Sequence, residues 1–345
     1  MPLFSEPARE RFQKFKSIKR AYYSLWVLGI AFVTSLFSPF IANDKPLILY
    51  YDGQVFFPIV KFYPGIAVGG QYKTEADYLK LRETPSFQAA GGWMLLPIIP
   101  YSPERSHREL QGAAPHPPSL LHWLGTDTSA RDVLARLLYG FRLCMLFSIS
   151  LMLCSTVIGV AVGGIQGYFG GKIDLLIQRF IEIWDALPRL YVVILVGTVY
   201  GRSLPILLVT LSLFNWISLS YYMRGEFLKL KNQTYVIASR SMGAGHLRII
   251  FLQIFPNALG PLLTLLPFSL IAGIGALTSL DFLGFGVPPP TPSWGELLDQ
   301  GLKTLYAPWL AASSVSALFI TLLLATFIGE GVRTAFDPKS YHHLK

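Results

Sequence analysis

Six stretches of about 20 apolar residues, each bounded by charge, proline or glycine, limit what this chain can fold into. They lie at about 21–42, 145–165, 180–200, 204–222, 258–276 and 309–328. A helix of about 20 residues rises about 30 Å, the thickness of a bilayer's hydrocarbon core. The remaining composition agrees: 52% of the 345 residues are hydrophobic and 14% are charged, against about 25% charged in a soluble domain. The spacing predicts an all-α polytopic membrane protein with six transmembrane helices.

The net charge of +9 could suggest a nucleic-acid partner, but the cations collect at the ends of the apolar runs, as the cytoplasmic bias of membrane proteins requires. No long basic run carries interleaved aromatics, so nucleic acid is excluded as a partner and membrane lipid is expected. Residues 1–20 form a basic tail, with Arg9, Arg11, Lys14, Lys16, Lys19 and Arg20 against Glu6 and Glu10. The run at 21–43 that follows is too long for a signal core and lacks an A-x-A site, which predicts a retained first span. Arg224, Lys229, Lys231, Arg240 and Arg248 mark a second cytoplasmic loop, and Arg333, Lys339 and Lys345 mark the end of the chain. Both termini are then cytoplasmic. The loop at 281–308 is net acidic and stiffened by Pro288, Pro289 and Pro290, as expected outside.

Residues 44–123 form an extracytoplasmic insert in which opposite charges balance. Two β-prone runs joined by Asp52-Gly53 predict a β-hairpin with a type I′ turn. The insert is either a lid or docking surface or a packed spacer. After it, Asp127 and Thr128 are placed to cap a short amphipathic helix over 131–138, lying in the membrane interface with Arg131, Asp132 and Arg136 off its apolar face.

The remaining core, 124–345, carries five of the spans. Gly159, Gly163, Gly167 and Gly171 recur every four residues, a flat stripe that lets a second helix approach closely. Cys144 and Cys154 are about 15 Å apart along a helix and cannot bridge. No metal spacing and no phosphate-binding loop occurs, since Gln166 and Ile173 break the pattern around Gly171-Lys172. Any ATP and Mg must sit on another chain, and this chain is not an enzyme by itself. Glu182, Asp185 and Arg189 in the third run offer an ion relay, hence a proton-coupled peptide transporter as the competing reading.

The longest basic, polar interval between spans is 235–257, YVIASRSMGAGHLRIIFLQIFPN. Tyr235, Val236, Ala238, Ser239 and Gly243, with the closing Phe255-Pro256-Asn257, resemble the coupling loop of ABC-importer permeases, closest in form to the dipeptide/oligopeptide family. HWLGTDTSARDVLARLLYG (122–140), GYFGGKID (167–174) and SLDFLGFGVPPPTPSWGELL (279–298) are similar to three further signatures of that family, in order and spacing. IANDKPLILYYDG (41–53) narrows the resemblance to YejE-type subunits of microcin C/oligopeptide importers.

The resemblance implies a type I importer permease of the bacterial inner membrane. It would pair with a second homologous permease, a cytoplasmic ABC ATPase and a periplasmic peptide-binding protein. It also implies that Ala238, Ser239 and Gly243 seat a helix in the ATPase while Tyr235, Val236 and Met242 anchor it, that Asn257 closes the coupling loop, and that Pro256 sets the start of the fifth span. Three positions depart from the pattern: Ile237 replaces an acidic residue or Arg, Ser239 an Ala, and Gln253 an Ile.

Overall fold

A computed structural model of the chain describes residues 6–70, 72–107, 110 and 112–336. Arg108, Glu109, Lys339, His342, His343 and Lys345 lie outside the described residues. In chain order the first helices are α1 (Glu6–Ser17), α2 (Lys19–Leu36) and α3 (Ser38–Ile41). Strands β1 (Ile48–Tyr51) and β2 (Gln54–Phe56), helices α4 (Tyr78–Glu83) and α5 (Pro85–Ala89), and strand β3 (Trp93–Leu95) follow. Then come α6 (Val133–Phe169), α7 (Gly171–Asp185), α8 (Arg189–Tyr200), α9 (Leu204–Leu230) and α10 (Thr234–Ser241). The rest is α11 (His246–Ile249), a π-helical turn at Ile250–Ile254, α12 (Phe255–Phe282), α13 (Trp294–Lys303) and α14 (Pro308–Phe336).

Among the described residues four helices are long and apolar enough to cross a membrane: Val133–Phe169, Leu204–Leu230, His246–Phe282 and Pro308–Phe336. The two other expected spans are interrupted. The run at 21–42 breaks at Phe37, because Pro39 at the start of α3 has no N–H to give the helical ladder. The run at 180–200 breaks at 186–188, where Pro188 precedes α8 and leaves an apolar helix of 12 residues. A proline disfavours the helical conformation of the residue before it, which separates α7 from α8.

The chain forms two compact units, one of Met1–Gly29, Cys144–Pro288 and Leu318–Lys345, the other of Ile30–Leu143 and Pro289–Ala317. In the first, α6 and α9 meet along glycine. A Cβ on Gly159 would lie 2.9 Å from Trp216 O, one on Gly163 would overlap Ser220 O, and one on Gly167 would lie 2.6 Å from Arg224 O. Backbone therefore touches backbone at three successive turns. Gly171 does not extend that stripe. With φ +55 it follows Gly170 at φ +67 in the reversal between α6 and α7.

In the second unit β2, β1 and β3 form an antiparallel sheet in that order. Tyr51 pairs with Gln54, so Asp52 (φ 48) and Gly53 (φ 76) form the reversal, both left-handed as a type I′ turn demands. Leu49, Val68, Tyr78, Leu81 and Phe87 make the core beneath. Asp77 caps α4 through Lys80 N and takes the Arg105 guanidinium at 2.6 Å. Burial alone would raise the Asp77 carboxyl, but these bonds hold it below its usual range.

No separate interfacial helix occupies 131–138. Val133 opens the 37-residue α6, and Arg131, Asp132 and Arg136 are buried. The cap is Asp132, whose carboxylate accepts from Ala135 N at 2.8 Å. Asp127 instead ties a tight turn, accepting from Ser129 N and Arg131 N, both at 2.9 Å. Each of these buried charges meets a partner, which offsets part of the cost of desolvation.

Candidate functional site

The structure brings the four quoted sequence stretches together in pairs. Within the first unit, GYFGGKID meets the segment 235–257. The Tyr168 hydroxyl is 2.8 Å from His246 Nδ1, and Lys231 Nζ donates to Tyr168 O at 3.4 Å. Asp174 takes Arg224 on both carboxylate oxygens, at 2.6 and 2.7 Å. Val236 is buried with Tyr168, Met223, Phe227, Ile249 and Ile254. This cluster is the base on which the segment stands.

Above that base, α10 ends in a Schellman closure. Gly243 N donates to Arg240 O and Ala244 N to Ser239 O, with Gly243 at φ +84, a conformation glycine adopts without strain. A Cβ on Gly243 would meet nothing within 4 Å. The residue is thus demanded by the backbone turn and not by a close neighbour.

The two departures at Ser239 and Gln253 are partners: Gln253 Nε2 donates to Ser239 Oγ at 2.7 Å. The Ala and Ile of the usual pattern have no such bond to make. Asn257 Nδ2 in turn donates to Gln253 O at 2.6 Å.

The other positions differ in burial. Met242 is 80% exposed and does not pack into this chain, whereas Val236 is buried in it. Tyr235 is exposed as well. Pro256 stands in the first turn of α12, and the π turn and α11 carry the helix back to His246. The π turn at Ile250–Ile254 widens the ladder just before Pro256, with Phe255 N reaching Ile250 O. That widening relieves the missing proline N–H and the clash of its ring with the preceding turn.

What projects is a knob of exposed Ile237, Met242, Leu247, Phe251 and Leu252, with Arg240 and Arg248 also exposed among them. Beside it lies a cavity of about 480 Å³, lined by Tyr168, Phe169, Lys231, Arg240 and His246 among others. Leu247, Phe251 and Leu252 belong to the apolar helix that runs from His246, whereas Ile237 and Met242 stand on the short α10 turn before it. Of the three proposed relay residues, Asp185 and Arg189 meet, while Glu182 takes another partner. Glu182 pairs with Arg179 at 2.6 Å and Asp185 with Arg189 at 2.7 Å, as exposed neighbours on the helix surface.

The second pairing, within the other unit, joins HWLGTDTSARDVLARLLYG to PSWGELL. Glu296 takes Arg131 at 2.7 Å and Arg136 at 2.5 Å, and Asp127 takes Arg131 at 2.7 Å. Burial works to lower the Arg131 guanidinium, yet Asp127 and Glu296 outweigh it and raise its pKa. Trp294 Nε1 donates to Leu137 O at 3.0 Å, and its ring fills the space left by Gly140. Beneath, His122 Nδ1 is 2.8 Å from Asp132 and its ring stacks on Tyr101. Burial, helped by His122 and Arg105, pushes the nearby His107 down to about 4, so it is neutral at pH 7. Every charge here is spent on another, which makes this a brace rather than a reactive centre.

Comparison with known proteins bears on both pairings. Residues 156–340 match the family described as binding-protein-dependent transport system inner membrane component. The chain is 44% identical, over 98% of its length and 99% of the relative's, to the inner membrane ABC transporter permease protein YejE of Escherichia coli. It is 41% identical, over 98% of its length and 94% of the relative's, to the peptidoglycan transport system permease protein YejE of Agrobacterium fabrum. It is also 38% identical to the dipeptide transport system permease protein DppC of Bacillus subtilis, over 65% of this chain and 70% of that one.

Proposed function

Since this chain belongs to the binding-protein-dependent transport system inner membrane component family, and is a permease subunit of a peptide ABC importer, we propose that residues 235–257 receive the motion of an ATPase carried on a separate chain. The observation that carries the reading is the braced knob. Its base is fixed by Val236, Tyr168 and Ile254, its turn is closed at Gly243, and its apolar side chains are left exposed. Fixing the stem and exposing the tip lets force enter without the segment yielding first.

Around this element the assembly comprises a second homologous permease, the cytoplasmic ATPase with its ATP and Mg, and an extracytoplasmic binding protein that delivers cargo. No cofactor resides on this chain. The cargo class is peptide or peptide-like, the chemistry common to the dipeptide, peptidoglycan and oligopeptide names of its relatives. Six crossings in a type I importer arrangement place both termini and the knob in the cytoplasm and the insert at 44–123 outside. On this reading the segments at 21–42 and 180–200 cross despite their proline breaks. Broken helices are tolerated at membrane depth where neighbouring helices or buried polar partners satisfy the freed backbone.

A crosslink tests the coupling role. A cysteine at Ala238, or at Met242, in a Cys144→Ala/Cys154→Ala background should capture the ATPase in native membranes, with a yield that changes with nucleotide. A folded protein that yields no adduct at either position overturns it.

A further inference from the structure

The junction of α1 and α2 lies outside residues 235–257 and presents an exposed face of its own. One side is taken up by α14: Phe15 and Ala21 are buried with Ala335, and a Cβ on Gly331 would overlap Ala21. The Arg11 guanidinium sits 4.9 Å over the Phe336 ring. That contact fixes how the junction is turned.

Beside that contact Lys16, Lys19 and Arg20 are exposed, with Lys16 Nζ 5.9 Å from the centre of the Tyr22 ring. None of the three makes an ion pair among the described residues. Following the same chain inward, Tyr23 is 62% exposed, Trp26 54% and Val27 53%. Along α2, from Lys19 to Val27, the exposed residues therefore run from cationic to aromatic to aliphatic within about 12 Å of helix rise. A bilayer half has the same order, phosphate above the headgroup boundary above hydrocarbon, and Trp and Tyr collect at that boundary. The aromatic pair thus sets the depth, and the three cations fall at the level of lipid phosphates. A surface awaiting a soluble acidic protein has no need of that succession.

We propose that the α1–α2 junction binds anionic phospholipid headgroups, with Lys16, Lys19 and Arg20 holding the phosphodiester and Tyr23 and Trp26 seated just below it. The site requires only that the chain be embedded in a membrane; it does not depend on the coupling role of residues 235–257.

The test uses the full-length chain in nanodiscs of equimolar phosphatidylcholine and phosphatidylglycerol, reading the phosphatidylglycerol retained by native mass spectrometry. Lys16→Gln/Lys19→Gln/Arg20→Gln should retain about a hundredfold less, from the attraction that each of the three lost cations supplies near an anionic surface. Lys16→Arg/Lys19→Arg should retain as much as the parent, which separates lost charge from lost folding. Lys229→Gln/Arg240→Gln/Arg248→Gln removes equal charge elsewhere and should leave retention near the parent value. An equal fall in that control, or no fall in the first variant, overturns the proposal. So does displacement of the lipid by inorganic phosphate, which would mark a free-anion site. Binding of the ATPase subunit in lipid-free detergent that is lost in the first variant would assign the cations to a protein partner and overturn it too.

Discussion

Gly243 shows how one residue type answers a backbone demand. Its φ of +84 costs an ordinary L-residue about 1–2 kcal/mol, while Asn tolerates the left-handed region better than most. Because no atom lies within 4 Å of where its Cβ would be, bulk is not the obstacle. Gly243→Asn is expected to keep uptake close to the parent, whereas Gly243→Val should loosen the turn and cut uptake several-fold at normal membrane levels. Hydrogen exchange at Met242–Ala244 would check the cause, faster in Val than in Asn. Equal behaviour of the two variants would mean the conformation does not matter. A glycine in YVIASRSMGAG was readable as a turn signal, yet nothing local distinguished an exposed cap from a close-packed contact. The exposure of Met242 was hidden for the same reason: only the fold decides that Val236, and not Met242, packs into this chain.

At the level of elements, α10 is held to the π turn by the Ser239–Gln253 bond. Two departures from a family pattern, 14 residues apart, turn out to be one feature. A half-buried hydrogen bond contributes about 1 kcal/mol, and removing one partner leaves the other unsatisfied. Ser239→Ala and Gln253→Ile should each destabilise by about 1–2 kcal/mol, while the double variant recovers most of that loss by restoring an apolar pair. A double-mutant cycle on thermal unfolding of the purified chain measures the coupling; strictly additive losses would show that the two side chains act apart. Contacts of this kind explain what could be read and what could not. The Asp52-Gly53 reversal depends on two adjacent φ angles, so the sequence displays it. Arg136 and Glu296 are 160 residues apart; their charges looked like solvated surface because their meeting depends on how α6 and α13 pack. Pro188 was visible in the third apolar run, but hydropathy alone gave no weight to its break.

For the whole molecule, topology sets which faces look inward and which outward across the bilayer. Among the described residues four helices are long and apolar enough to cross, and the charge bias assigns the side of each loop. A single cysteine at Val60, 77% exposed, and another at Met242, 80% exposed, serve as reporters in the cysteine-free background. An impermeant maleimide added to intact spheroplasts should label Val60→Cys and spare Met242→Cys until the membrane is opened. The reverse pattern would invert the assignment, and labelling of both from outside would defeat six crossings.

The way residues 235–257 stand on their base also decides how the segment can be transplanted. Tyr168, Met223 and Phe227 under Val236 belong to other helices, whereas Ser239 and Gln253 travel together inside the segment. A chimera carrying a relative's loop from 235 to 257 imports its own internal pairing but inherits this chain's floor. A graft boundary drawn between 239 and 253 instead mixes a polar half with an apolar one. Compatibility between transporters is thus set by the floor and by where the cut falls, before any partner has been met.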